Sequence, residues 1–291
     1  MKTKILQISS KIFDKLYKAY ESPKGFKFIS TGLVFVFVSS LVLTQLNNWF
    51  EFSASVSKFM PTNYFDAVEI TFHLLLAVEI LGMVFVLAYS VSKSVAKQFE
   101  ILALILLRSA FKEFSKYDII SHWDTALTPV SYMLSDAFGA LIIFVGVFYY
   151  LKIQKHQKIT CTYETGNRYT AVKKMLALIM IVVFASIAVY DLGFYFSTGN
   201  QLEFFHIFYT ILIFTDILLV IISLRYNHSF AVVFRNSALA VAVVFIRIAL
   251  SAPPYFNAGI GALSLGFVIL TGIYYNKFRA VHESEEGNLQ E

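Results

Sequence analysis

Apolar residues run through this chain in long blocks, broken at intervals by small clusters of lysine, serine, proline and asparagine. About 20 largely apolar residues are needed for a helix to cross the hydrocarbon core of a bilayer. Eight blocks come near or exceed that length, at roughly 28–50, 64–90, 97–114, 131–151, 174–197, 204–224, 229–250 and 256–276. The pattern predicts an all-α integral membrane protein with eight transmembrane helices. Ahead of the first block, Ile5, Ile8, Ile12, Leu16 and Tyr20 recur at helical spacing, while Lys4, Lys11, Lys15 and Lys18 take another face. That is the pattern of an amphipathic helix lying on an anionic membrane surface.

The blocks also repeat. VEILGMVFVLAYSVSKSVAKQFEILALILLRSAF, from Val78, aligns at a constant offset with TDILLVIISLRYNHSFAVVFRNSALAVAVVFIRIAL, from Thr215. Glu79 then matches Asp216, Tyr89 matches Tyr226, Ser92 matches Ser229 and Ala103 matches Ala240; after a short insertion Arg108 matches Arg247. FGAL at Phe138 matches IGAL at Ile260. The expected organisation is a leader (1–27), a first four-helix unit (28–151), a basic linker (152–173), a second unit (174–277) and an acidic, disordered tail (278–291). Four helices per unit give both units the same orientation, related by a pseudo-twofold axis along the membrane normal.

Charge fixes which way the chain faces. Lysine and arginine concentrate in cytoplasmic loops. Nineteen of these residues fall in the leader, the linker, the tail and the two intervening turns, against Lys58, Lys112 and Lys116 on the other side. Both termini are therefore expected in the cytoplasm, across a bacterial inner membrane. The net charge of +5 has this topological origin, and nucleic-acid binding is not expected. Composition agrees: 57% of the 291 residues are hydrophobic, 15% are charged and the mean hydropathy is +0.66, where a soluble domain has roughly a quarter of its residues charged. The single cysteine, Cys161, supports no disulfide framework.

Candidate chemistry lies in the charges inside the blocks. With a turn placed near Ser92–Ser94, Glu79 precedes it by about as far as Arg108 follows it. Antiparallel helices rise about 1.5 Å per residue, which brings the two to equal depth. The same arithmetic pairs Asp216 with Arg247. An unpaired charge there costs several kcal/mol, and an arginine fork suits a carboxylate. Two buried ion pairs are expected, either fixing helix register or forming a proton or ion relay. Asp136 falls in the first turn of its helix, where a helix N-terminus favours a carboxylate. Glu69, His73, Glu203, His206 and Asp191 read as interfacial, although Glu69 and His73, one turn apart, share a face and could hold a cation weakly. No nucleophile-elbow, zinc-protease or phosphate-loop signature occurs, so no enzyme, metal or cofactor is expected.

Glu79, Lys93, Lys97, Arg108 and the FGAL helix, followed by Asp216, Arg225, Arg235, Arg247 and the IGAL helix, resemble the phosphate-starvation-inducible PsiE family. The resemblance implies a four-helix membrane unit, here doubled, with an inner-membrane role tied to phosphate limitation and no catalytic residues. The expected function is a non-enzymatic scaffold or accessory subunit, in contact with the lipid bilayer and a membrane protein partner. A transporter or channel using the paired charges is the second expectation, an electron-transfer anchor the third.

Overall fold

A computed structural model describes residues 2–49, 64–115, 123–154, 163–198, 204–224 and 230–288. Among these there are nine helices and no strand: α1 (Lys2–Glu21), α2 (Pro23–Trp49), α3 (Tyr64–Tyr89), α4 (Val91–Ser115), α5 (Trp123–Ile153), α6 (Tyr163–Thr198), α7 (Phe204–Leu224), α8 (Phe230–Ser251) and α9 (Phe256–Asn288). Six of them are long and apolar enough to cross a membrane: α2, α3, α5, α6, α8 and α9. These are the helices of a multi-pass membrane protein. In α7 the apolar run is shorter, Thr210–Ile222. α4 carries Lys93, Lys97, Glu100, Arg108, Lys112 and Glu113, which dilute its hydropathy.

Local sequence sets the corners. Ser22 precedes Pro23, which occupies a first-turn position where a proline loses no hydrogen bond. The Ser22 hydroxyl accepts from the Gly25 amide at 2.9 Å and donates to the Ala19 carbonyl at 2.8 Å. A Cβ on Gly25 would lie 2.3 Å from the Ala19 carbonyl oxygen, so only glycine permits so tight an elbow between α1 and α2. Ser90 alone separates α3 from α4 and caps α4, its hydroxyl accepting from the Lys93 amide. The hairpin therefore turns at Ser90, earlier than the sequence suggests.

Two apolar cores result. α4, α5, α8 and α9 enclose one, built on Phe99, Leu102, Ile143, Val147, Val243 and Leu265. The other joins α1, α3, α6 and α7 through Phe13, Met83, Leu87, Met180, Phe208 and Leu212, with Ile101 of α4 reaching into it. Matching elements of the repeat meet each other, α4 against α8 and α5 against α9. The halves are nonetheless not two separate bundles. α6, the first helix of the second half, packs more on α3 and α1 than on its own neighbour α7. Lys173 fastens it there by donating to the Tyr89 carbonyl at 3.0 Å, at the end of α3 where last-turn carbonyls lack helical partners. The expected disordered tail also differs: α9 continues to Asn288, because the stretch after Tyr275 carries no helix stop until Gly287.

Small residues let α5 and α9 cross closely. A Cβ on Gly139 would sit 2.4 Å from that of Ala258, and one on Gly146 would meet Leu265 at 2.3 Å. Above this seam Tyr132 packs against Tyr255, ring centroids 5.1 Å apart, and the Tyr255 hydroxyl bonds Ser131 at 2.7 Å. Tyr255 holds a left-handed backbone (φ 72°), a strained conformation those contacts maintain. Replacing Gly139 with Ala should therefore overpack the crossing. We expect a loss of about 1–3 kcal/mol, read as a lower melting temperature in detergent; the same change at Gly266, which faces open space, should leave it nearly unaltered.

Candidate functional site

The charges inside the helices gather on α4. Lys97 reaches Glu79 of α3, Nζ to Oε2 2.6 Å, and also Glu100 on its own helix at 2.8 Å. The next residue, Gln98, points to the other side and donates from Nε2 to Oδ2 of Asp216 on α7 at 3.1 Å. The two acids that correspond in the repeat are thus both held by adjacent residues of a single helix. Further along α4, Arg108 Nη2 donates to Oε1 of Glu69 at 2.8 Å, with Lys112 Nζ 3.9 Å from the same oxygen.

This is not the expected pairing. Glu79 takes Lys97 and Arg108 takes Glu69, while Asp216 takes Gln98 and leaves Oδ1 buried without a hydrogen-bond partner. The reason is the position of the turns. Glu79 lies just under three helical turns before the end of α3 at Tyr89, whereas Arg108 lies nearly five turns beyond the start of α4 at Val91. A mismatch of about two turns is about 10 Å along the axes, too far for a contact. Asp216 and Arg247 are mismatched in the same sense: the first is little more than two turns from the end of α7 at Leu224, the second nearly five turns from the start of α8 at Phe230. Both observed pairs of the first hairpin, 79 with 97 and 69 with 108, centre near Ala88, within about two residues of the turn at Ser90.

Burial separates these groups. Glu79 and Lys97 each keep about a quarter of their side chains exposed (24% and 26%), so the protein does not fully enclose the pair. Asp216 is 2% exposed, and Gln98 and Asn236 beside it are buried too. The crevice here is walled by Val91, Val95, Val220, Leu239 and Val243 and leaves no room for a water molecule. Around Glu69 and Arg108 a cavity of about 20 Å³, lined also by Asp66 and Lys112, has room for roughly one water.

Asp136 is buried, with one oxygen accepting from Asn257 Nδ2 at 2.8 Å and the other without a hydrogen-bond partner. It does not cap the first turn of its helix: α5 begins well before it, at Trp123, and Asp136 joins α5 to α9. His73 places Nδ1 2.9 Å from the Glu69 carbonyl, and the Glu69 carboxylate is occupied by Arg108, so the two do not converge on a cation. Among the described residues no group of three or more His, Cys, Asp or Glu side chains is arranged to hold a metal ion. Glu203 lies outside the described residues. Sequence reasoning missed Lys97 and Gln98, the first because it reads as part of a basic turn and the second because it carries no charge. The signal for Lys97 is its spacing: VAKQFEILALILL continues at helical period on both sides of it, so the lysine belongs to the helix.

A double-mutant cycle distinguishes the two registers. Lys97→Met alone leaves Glu79 without its counter-ion and should cost about 1–3 kcal/mol, below the figure for fully buried pairs because this one is partly exposed. Adding Glu79→Gln should recover much of that loss. Coupling between Arg108 and Glu69 should be measurable by thermal unfolding in detergent, and coupling between Arg108 and Glu79 close to zero.

Compared with protein-family models, with curated proteins and with solved structures, the chain finds no match in any of the three.

Proposed function

We propose that this chain is a non-enzymatic, eight-span protein of the bacterial inner membrane with both termini in the cytoplasm, a doubled PsiE-like unit that serves as a scaffold or accessory subunit. The observation that carries this reading is how the internal charges are disposed. Glu69, Glu79, Lys97 and Arg108 neutralise one another side chain to side chain. The cavity beside Glu69 and Arg108 has room for about one water, and the crevice beside Asp216 for none. A conduction route needs a polar path that water or substrate can enter, whereas a charge pair locked between packed helices fixes register. The α4 and α7 helices complete the eight spans, because α4 pairs its Lys97 and Arg108 with acids of α3 and α7 packs on both α6 and α8. The tie to phosphate limitation rests on the PsiE resemblance alone.

One observation favours transport instead. Asp216 keeps a buried oxygen with no hydrogen-bond partner, at the junction between the halves. Proteoliposomes loaded with a pH-sensitive dye separate the two readings. Under an imposed potential the wild-type protein should collapse a proton gradient no faster than empty vesicles, and Asp216→Asn should behave identically. Flux that the wild type supports and Asp216→Asn lacks would replace the scaffold by a relay. Topology is tested on the native thiol: a membrane-impermeant maleimide should label Cys161 from the cytoplasmic face only, and a cysteine introduced at Lys116 from the opposite face only.

A further inference from the structure

Of the residues Ile8, Ile12, Leu16 and Tyr20 on the face that the sequence pattern singles out on α1, only Tyr20 meets the rest of the protein. Phe13 is fully buried, packing on Phe85 at 5.5 Å and Tyr89 at 5.8 Å between ring centroids. Tyr17 packs on the same two rings, and the Tyr20 hydroxyl donates to the Val78 carbonyl at 3.2 Å. Lys174 of α6 pins the helix from its polar edge, donating to Asp14 at 2.7 Å. Ile8, Ile12 and Leu16, by contrast, are 58%, 50% and 43% exposed, and Lys11, Lys15 and Lys18 beside them are exposed as well.

Turning round α1 at about 100° per residue gives a fixed order of four strips. The aromatic strip of Tyr20, Phe13 and Tyr17 sits on the bundle. On one side of it runs the strip of Ile8, Ile12 and Leu16, then the lysine strip. Asp14 and Glu21 fall on the far side, between the lysines and the bundle. Because the bundle contact is fixed by Phe13 and Asp14, the isoleucine and lysine strips are presented in a fixed direction. At its other end the elbow at Ser22 and Gly25 carries the chain straight into the apolar α2, whose Phe26, Phe28 and Phe35 are 72%, 82% and 72% exposed. The exposed apolar strip of α1 is thus followed, beyond the elbow, by further exposed apolar side chains on a helix long and apolar enough to cross a membrane.

We propose that α1 binds anionic phospholipid, with Ile8, Ile12 and Leu16 immersed at the acyl boundary and Lys11, Lys15 and Lys18 holding headgroup phosphates. The charge order selects this occupant. A lipid surface offers hydrocarbon below and anionic phosphate immediately above it, the sequence that the isoleucine and lysine strips match, while the acids lie on the edge turned away. An amphipathic strip gains affinity from buried apolar area, and each lysine near an anionic surface adds electrostatic attraction. The proposal stands on α1 and on membrane embedding, and is independent of the scaffold role.

The test uses full-length protein in a neutral detergent with Cys161→Ser and an environment-sensitive fluorophore at Ile12→Cys, titrated with phosphatidylglycerol or phosphatidylcholine. Phosphatidylglycerol should blue-shift the emission, with half-saturation about ten-fold or more below that for phosphatidylcholine. Lys11→Gln, Lys15→Gln and Lys18→Gln together should abolish the difference, as should high salt. The three lysines stand on the exposed face of α1, and an unchanged melting temperature verifies that the variant is folded. Equal responses to the two lipids, or a triple variant that keeps the preference, would overturn the proposal. So would a fluorophore already shielded before lipid is added in a species that elutes as a dimer, since a second copy would then cover the strip.

Discussion

The fold turns on one requirement, that the charges of α4 be neutralised without leaving the bundle. This helix lies against α3, α5 and α8 and contributes to both apolar cores. Gln98 is buried, and Lys97 and Arg108 are largely covered by neighbouring helices; the acids meet them there, Glu79 and Glu69 from α3, Asp216 from α7. Each contact fixes a depth as well as a direction. Slipping α3 against α4 by one turn would break two ion pairs at once and leave their members half-buried. Apolar packing between lipid-facing helices does not offset that cost, since lipid solvates such side chains equally well. Polar contacts therefore specify register here, and the small-residue crossing of α5 and α9 supplies closeness.

The repeat is retained at the centre and abandoned at the edge. α4 meets α8 and α5 meets α9, elements that correspond in the sequence repeat, and Tyr132 faces Tyr255, which stands close to the matching place in the second copy. Yet the acid that corresponds to Glu79 is held, through one oxygen only, by a glutamine from the opposite half. Asp136 and Asn257, which stand at nearby places in the repeat, bond each other across the seam. A single carboxylate with an amide partner avoids the repulsion that two matched aspartates would bring, so the sequence difference between the copies has a direct electrostatic reason.

Much of the architecture was legible in the chain, because a block of about 20 apolar residues has few alternatives to a helix. Glu79, Arg108 and Asp216 were legible too, since a charge in such a block demands a partner, whereas Lys97 read as part of a basic turn. Their pairing was not. It depended on where the hairpin turns, and Ser90 looks no more like a turn than Ser92 or Ser94 in YSVSKS; a small error there moves a partner by a whole helical turn. α1 shows the complementary difficulty. Its isoleucine periodicity is plain, but which apolar strip meets protein was decided by Phe13 and by Asp14, whose partner Lys174 is 160 residues away.

The placement of α6 bears on how the chain can be made. Helices enter the membrane in the order of synthesis, and α3 is inserted, turned and paired with α4 well before α6 exists. Until then Met83 and Leu87 lack their packing neighbour and the last carbonyl of α3 lacks Lys173. The N-terminal half is consequently an unfinished object in the bilayer, open along one flank, that closes only when translation has passed the linker. A gene encoding such a protein cannot be cut at the middle of its repeat without separating a helix from the groove it was built to fill, which gives a physical reason for the two copies to remain on one polypeptide.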